Sequence, residues 1–100
     1  ILVDSGRRQI RYYGHVLELS RYEFGLLEVL ASRPGHVFSR DALLARVWDN
    51  ATDSIDRTVD AHVKTLRAKM RTVAPALDPI RTHRGSGYAL AEDLPATSAG

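Results

Sequence analysis

A chain of 100 residues with a formal net charge of +2 and no cysteine is long enough for one domain with a single core, burying about two-thirds of the surface its unfolded form exposes. Lacking cysteine, it can hold no disulfide framework, thiolate nucleophile or zinc ribbon, which fits a reducing, cytoplasmic setting. Apolar runs of a few residues fall far short of the ~20 that span a bilayer, and the start carries no export signal, so neither a membrane nor secretion is expected.

The first residue is Ile1 rather than Met, which predicts a piece cut from a longer protein. The net charge is too small to argue for a polyanionic partner, but its distribution is uneven. Between Ile55 and Arg84 the cations Arg57, Lys64, Arg67, Lys69, Arg71, Arg81 and Arg84 face only Asp56, Asp60 and Asp78. Positive charge is thus gathered in one contiguous third of the chain, and the remainder is slightly acidic.

Residues 1–19 read as a small antiparallel meander of short strands, Ile1 to Val3, Gln9 to Tyr13 and His15 to Leu19, with turns at Asp4-Ser5-Gly6 and at Gly14. Val16 and Glu18 alternate against Leu17 and Leu19, so one face is expected to be buried and the other wet. Tyr12, Tyr13 and His15 are assigned to packing. Helix signals follow. Ser20 can cap, Glu23 can close a capping box, and Leu19 can staple to Phe24. Phe24, Leu27, Leu30 and Ala31 then recur at helical spacing to about Ser32, before Pro34-Gly35 stops the pattern.

A second helix is predicted from Ser39, with Phe38 placed to pack on Leu43 and an apolar face of Leu43, Leu44, Val47 and Trp48. A polar connection, Asp49 to Ser54, leads into the stretch SIDRTVDAHVKTLRAKMR over residues 54–71. Ile55, Val59, Val63, Leu66 and Met70 form its core-facing stripe. The opposite face presents Arg57, Ala61, Lys64, Ala68 and Arg71, flanked by Thr58 and Thr65 on one side and Asp60 and Arg67 on the other. Alternating alanines and long cations suit a helix entering a nucleic-acid groove, where small residues permit close approach and long donors reach base edges and phosphates. Asp53, Asp56 and Asp60 are read as complements of the helix dipole, with Asp53 or Ser54 as cap, rather than as a metal or acid-base cluster. Two helices joined by a short linker make the skeleton of a helix-turn-helix.

Beyond the looser Ala74-Pro75 and Asp78-Pro79, Ile80 to Arg84, Gly85-Ser86-Gly87 and Tyr88 to Leu90 spell strand, glycine turn and strand, with Arg84 at the tip. A basic hairpin directly after a basic helix is a wing. Its lone GxG lacks the strand-to-helix context of a phosphate loop.

From Leu19 to Leu90 the chain resembles the winged-helix effector domains of the OmpR/PhoB class of bacterial response regulators. The blocks LSRYEFGLLEVLASRPGHVFSRDALLARVW, DRTVDAHVKTLR and RTHRGSGYAL carry the resemblance, in the family's order and spacing. It implies an α+β winged helix-turn-helix: an N-terminal antiparallel sheet over 1–19, a three-helix core over 20–73 and a C-terminal β-hairpin wing over 79–91. A flexible tail over 92–100 is expected to follow. The implied activity is sequence-specific binding of double-stranded promoter DNA to regulate transcription, with no cofactor.

By the resemblance Arg57, Thr58, Ala61, His62, Lys64 and Arg67 meet bases or phosphates from the recognition helix. Thr65 and Arg71, from the helix face itself, complete that candidate set, although the angle of His62 falls near the apolar stripe. Thr82, Arg84 and Gly85 of the wing correspond to positions at the backbone and adjacent minor groove, where arginine senses groove width. Trp48, Asp49, Asn50, Ala51, Thr52 and Asp53 match a loop that can face RNA polymerase. Two copies are expected on direct repeats about one helical turn apart, as a homodimer on DNA. The receiver domain with its phosphorylated aspartate, and the sensor histidine kinase acting on it, lie outside this chain. Thr65, where many relatives carry a second cation, and His83, where many carry an aliphatic residue, depart from the pattern.

Charge alone also permits a winged helix that binds an acidic protein partner. An enzyme fits least, because histidines 15, 36, 62 and 83 are too widely spaced for a local ligand motif and no nucleophile or carboxylate pair has a catalytic context.

Overall fold

The computed structural model describes residues 1–48 and 59–95. Three short strands, β1 (Leu2–Asp4), β2 (Gln9–Tyr12) and β3 (His15–Val16), precede helices α1 (Arg21–Ser32), α2 (Arg40–Val47) and α3 (Val59–Val73). A hairpin, β4 (Ile80–His83) and β5 (Gly87–Leu90), follows. The N-terminal sheet runs β1-β2-β3, antiparallel throughout, with Leu2 opposite Arg11 and Arg11 opposite Val16.

The meander is shorter than its sequence predicts. Tyr13 (φ 50°) and Gly14 (φ 80°) both occupy the left-handed region, the requirement of a two-residue turn matched to strand twist, so β2 ends at Tyr12. After Val16 the chain makes one more sheet bond, Leu17 N to Ile10 O at 3.0 Å, and then leaves for the helix cap. The predicted alternation holds, with Leu17 buried and Val16 and Glu18 exposed.

The α1 capping box forms as expected. Ser20 Oγ accepts from Glu23 N at 3.2 Å, and Glu23 Oε1 accepts from Ser20 N at 2.8 Å. Phe24, Leu26, Leu27 and Leu30 are buried, and α1 packs against α2, α3, β2 and β5, making it the centre of the core. Ser39 caps α2 by accepting from Ala42 N at 3.0 Å. In α3 the stripe Val59, Val63, Leu66 and Met70 is buried. Its predicted first member, Ile55, and the caps Asp53 and Ser54 lie outside the described residues.

The wing is bound to the helical core through its backbone. Phe38 N donates to Tyr88 O at 2.8 Å and Tyr88 N to Phe38 O at 3.0 Å, so the segment entering α2 pairs with β5. Gly87 makes this possible: with φ at +139°, a Cβ there would stand 2.0 Å from Phe38 O, which only glycine avoids. Two residues of the stretch after the wing contact the domain. Arg81 pairs with Asp93 at 3.5 Å, and Tyr13 Oη donates to Pro95 O at 2.6 Å. Residues 96–100 lie outside the description.

Candidate nucleic-acid interface

Because the stripe of α3 is committed to the core, the opposite face is fixed by helical geometry. Ala61, Lys64, Ala68 and Arg71 are all exposed. Among the described residues Lys64 and Arg71 have no ion-pair partner, and neither has Arg84 on the exposed turn of the wing. Arg57 and Thr58, predicted at the start of this face, lie outside the described residues, as do Asp49, Asn50, Ala51, Thr52 and Asp53 of the expected polymerase loop.

The flanks of the same helix are used differently. Lys69 Nζ and Thr65 Oγ1 donate to the two oxygens of Glu23, each at 2.5 Å, tying α3 to the first turn of α1. The Glu23 side chain is only 3% exposed. Burial by itself would raise its pKa, but the hydrogen bonds from Lys69, Ser20 and Thr65 outweigh it and hold the carboxyl down at about 2. Thr65, predicted as a DNA-side residue, therefore has its hydroxyl engaged within the fold.

Arg67 likewise turns toward its own protein. Nη2 donates to Ile80 O at 2.7 Å and to Thr82 Oγ1 at 2.5 Å, and the guanidinium stands 5.7 Å from the centre of the Tyr88 ring. One arginine thus spans from α3 to both strands of the wing, and Thr82 is its partner. His62 is half-buried, its ring 5.5 Å from Tyr22 and 5.6 Å from Trp48, in line with its angle beside the stripe. Trp48 carried two expectations: its place on the apolar face of the second helix holds, since it is 5% exposed and stacks on Tyr22 at 4.5 Å, and its place on a partner-facing loop is corrected. Its extended backbone as C-cap of α2 (ψ 119°) ends the helix, and the indole belongs to the core.

A second junction was not anticipated. Asp60 on α3 accepts at Oδ1 from Arg40 Nε of α2 at 2.8 Å and from the Tyr88 hydroxyl of β5. The Arg40 guanidinium lies 5.3 Å from the Tyr88 ring centre. Hydrogen bonds from Tyr88 and Arg40 hold the Asp60 carboxyl below its ordinary pKa, while burial, reinforced by Asp60, pushes the Tyr88 phenol up. Sequence reasoning placed Asp60 on the flank of the reading face but had no signal for partners 20 and 28 residues away.

Gly85 (φ 76°) opens the wing turn, with nothing within 4 Å of where a Cβ would stand, so the tip presents backbone and the Arg84 side chain. Among the described residues no group of His, Asp and Glu could hold a metal ion, and no helix is long and apolar enough to cross a membrane.

Three helices, a sheet before them and a hairpin docked on the last helix define a winged helix-turn-helix. Residues 14–90 match the family model described as "Transcriptional regulatory protein, C terminal". The chain belongs to that family, the OmpR/PhoB-type C-terminal DNA-binding domains. It is 55% identical over 82 residues to the transcriptional regulatory protein CreB of Escherichia coli (strain K12), a match covering 82% of this chain and 36% of that protein. The chain therefore spans little more than a third of this curated relative's length. Among solved structures it is similar to the DNA-binding domain of RstA from Klebsiella pneumoniae in complex with the RstA box, at TM-score 0.72 and 35% identity, covering 89% of this chain and 88% of that one. It is also similar to the DNA-binding domain of CpxR from E. coli, at TM-score 0.75 and 32% identity, covering 92% and 90%.

Proposed function

We propose that this domain reads a specific sequence in double-stranded promoter DNA and thereby regulates transcription, with α3 in the major groove and the wing turn at the adjacent minor groove. The supporting observation is the division of labour on α3. Ala61, Lys64, Ala68 and Arg71 are exposed on one strip, while Arg67 and Asp60 hold the wing against the same helix. Exposed cations on a strip kept flat by alanine suit groove entry, and a rigid wing gives a second contact at fixed distance. Lys64, Arg71 and Arg84 set affinity and register through phosphates, and the wing arginine senses groove width. Arg57 and Thr58, which lie outside the described residues, are proposed to join them in contacting the DNA.

In the whole protein the domain serves as the effector of a response regulator. A receiver domain phosphorylated by a sensor histidine kinase controls it, two copies occupy direct repeats, and the segment from Asp49 to Asp53 faces RNA polymerase.

Fluorescence anisotropy of this chain against a random duplex and the promoter of its own operon, over a range of salt, tests the reading. Binding to random duplex in the ~10⁻⁴ to 10⁻⁶ M range, falling steeply with salt, is expected. Binding to the promoter should be at least ~10³-fold tighter. Absence of binding to either duplex at low salt overturns it and favours an acidic protein partner.

A further inference from the structure

Asp60 is an anomaly on a helix face offered to a polyanion. It sits in the first turn of α3, its side chain 56% exposed, on the flank beside the Ala61 and Lys64 strip. A carboxylate there repels phosphate, yet it is neither turned away nor buried. Instead it is held in place from two other elements. Arg40 of α2 and Tyr88 of β5 both donate to the same oxygen, Oδ1. Among the described residues the second oxygen, Oδ2, takes no hydrogen bond. Arg40 compensates its charge, and the two tethers restrict its rotamer, so Oδ2 is an oriented acceptor at the end of the helix that enters the groove.

Resting on the DNA-reading function above, we infer that Asp60 is a specificity-determining residue whose free carboxylate oxygen accepts a hydrogen bond from an exocyclic base amine in the major groove. Cytosine N4 is the first choice. An acceptor-only group matches cytosine, which presents a donor there, whereas adenine sets its N7 acceptor beside the N6 amine, and guanine and thymine present acceptors. N-terminal residues of a recognition helix are the ones that reach base edges. Arg40 and Tyr88 act as positioning residues, fixing where the carboxylate points and joining base reading to the seat of the wing.

The test is selection from a randomised duplex pool, followed by sequencing, with the unaltered chain, Asp60→Asn and Tyr88→Phe, each first checked for cooperative thermal unfolding. The unaltered chain should enrich a motif with one cytosine position, preferred about tenfold over the other bases. In Asp60→Asn that position should lose its preference while the rest of the motif persists. Tyr88→Phe keeps the carboxylate but removes one tether, and should weaken the preference at the same position only. An Asp60-dependent adenine position would establish the amine contact with N6 as donor. A guanine or thymine position, or a motif unchanged in Asp60→Asn, overturns the inference and leaves the DNA-reading function intact. Enrichment of no motif by the unaltered chain overturns the DNA-reading function itself.

Discussion

Two regions of α3, its exposed strip and its flanks, put the same chemistry to opposite uses. Lys64 and Arg71 are exposed and, among the described residues, unpaired, whereas Lys69 and Arg67 are bound to Glu23 of α1 and to the wing. Nothing in the residue types distinguishes the pairs. What does is the neighbour each flank meets: a buried carboxylate on one side, and a strand carbonyl with a threonine hydroxyl on the other. The tethered flanks hold the helix at a fixed angle to its core and its wing, and that constraint lets the exposed strip present a fixed pattern.

The comparison breaks most severely at Glu23. Glu23→Ala strips Lys69 and Thr65 of their partner and deletes half of the capping box, so a loss of about 3 to 4 kcal/mol in unfolding free energy is expected in urea titration. A loss below about 1 kcal/mol would mean that the α1–α3 tether carries little of the fold. The same carboxylate sets an acid limit. Its pKa falls from the ordinary 4.5 to about 2 on folding, so the unfolded chain takes up the proton more readily. Its stabilisation, on the order of 3 kcal/mol, is complete above about pH 4.5 and drains away as pH falls toward 2. Urea midpoints between pH 6 and pH 2.5 should fall more steeply for the unaltered chain than for Glu23→Gln.

Arg67 comes next. Arg67→Met retains the aliphatic stem over Tyr88 but leaves Ile80 O and Thr82 Oγ1 without their donor, at a cost of about 2 kcal/mol. Its effect on DNA should differ in kind from that of a phosphate contact. With the wing loosened from α3, a further Arg84→Ala change should cost less affinity than it does in the unaltered chain, read as a coupling energy in a double-mutant cycle. Strict additivity would mean that wing and helix bind independently.

These tethers also mark where sequence reading stopped. The Ser20 and Glu23 capping box, the stripe from Val59 to Met70 and the glycine hairpin are local patterns, visible because the interacting residues lie within a few positions of each other. Glu23 reaching Lys69, and Arg40 reaching Asp60 and Tyr88, are 46, 20 and 48 positions apart, and no periodicity encodes them. One signal was available. Residues 23, 27 and 30 share an arc of α1, so an acidic residue in line with Leu27 and Leu30 calls for a buried donor. Trp48 misled for the opposite reason: at the end of α2 it belongs equally to an apolar face and to a loop, and only packing on Tyr22 decides. For the candidate site, helical geometry sufficed to place Ala61, Lys64, Ala68 and Arg71 outward. It could not tell that Arg67 and Thr65, on the flanks of that arc, have partners within the fold.

The smallest effect on the fold is also the sharpest test of the contrast. Lys64→Ala and Arg71→Ala remove exposed side chains that, among the described residues, make no ion pair, so each should alter unfolding free energy by less than about 0.5 kcal/mol. In DNA binding the ranking inverts. Each substitution should lower affinity across sequences and reduce the slope of log affinity against log salt by about 1, the signature of one lost phosphate contact. Lys69→Ala, on the flank of the same helix, should do the reverse: it costs stability through Glu23, and once the protein is folded the salt slope stays where it was. If Lys69→Ala shifted the slope as much as Lys64→Ala, the two regions of α3 would share one function and the division between tether and reader would fail.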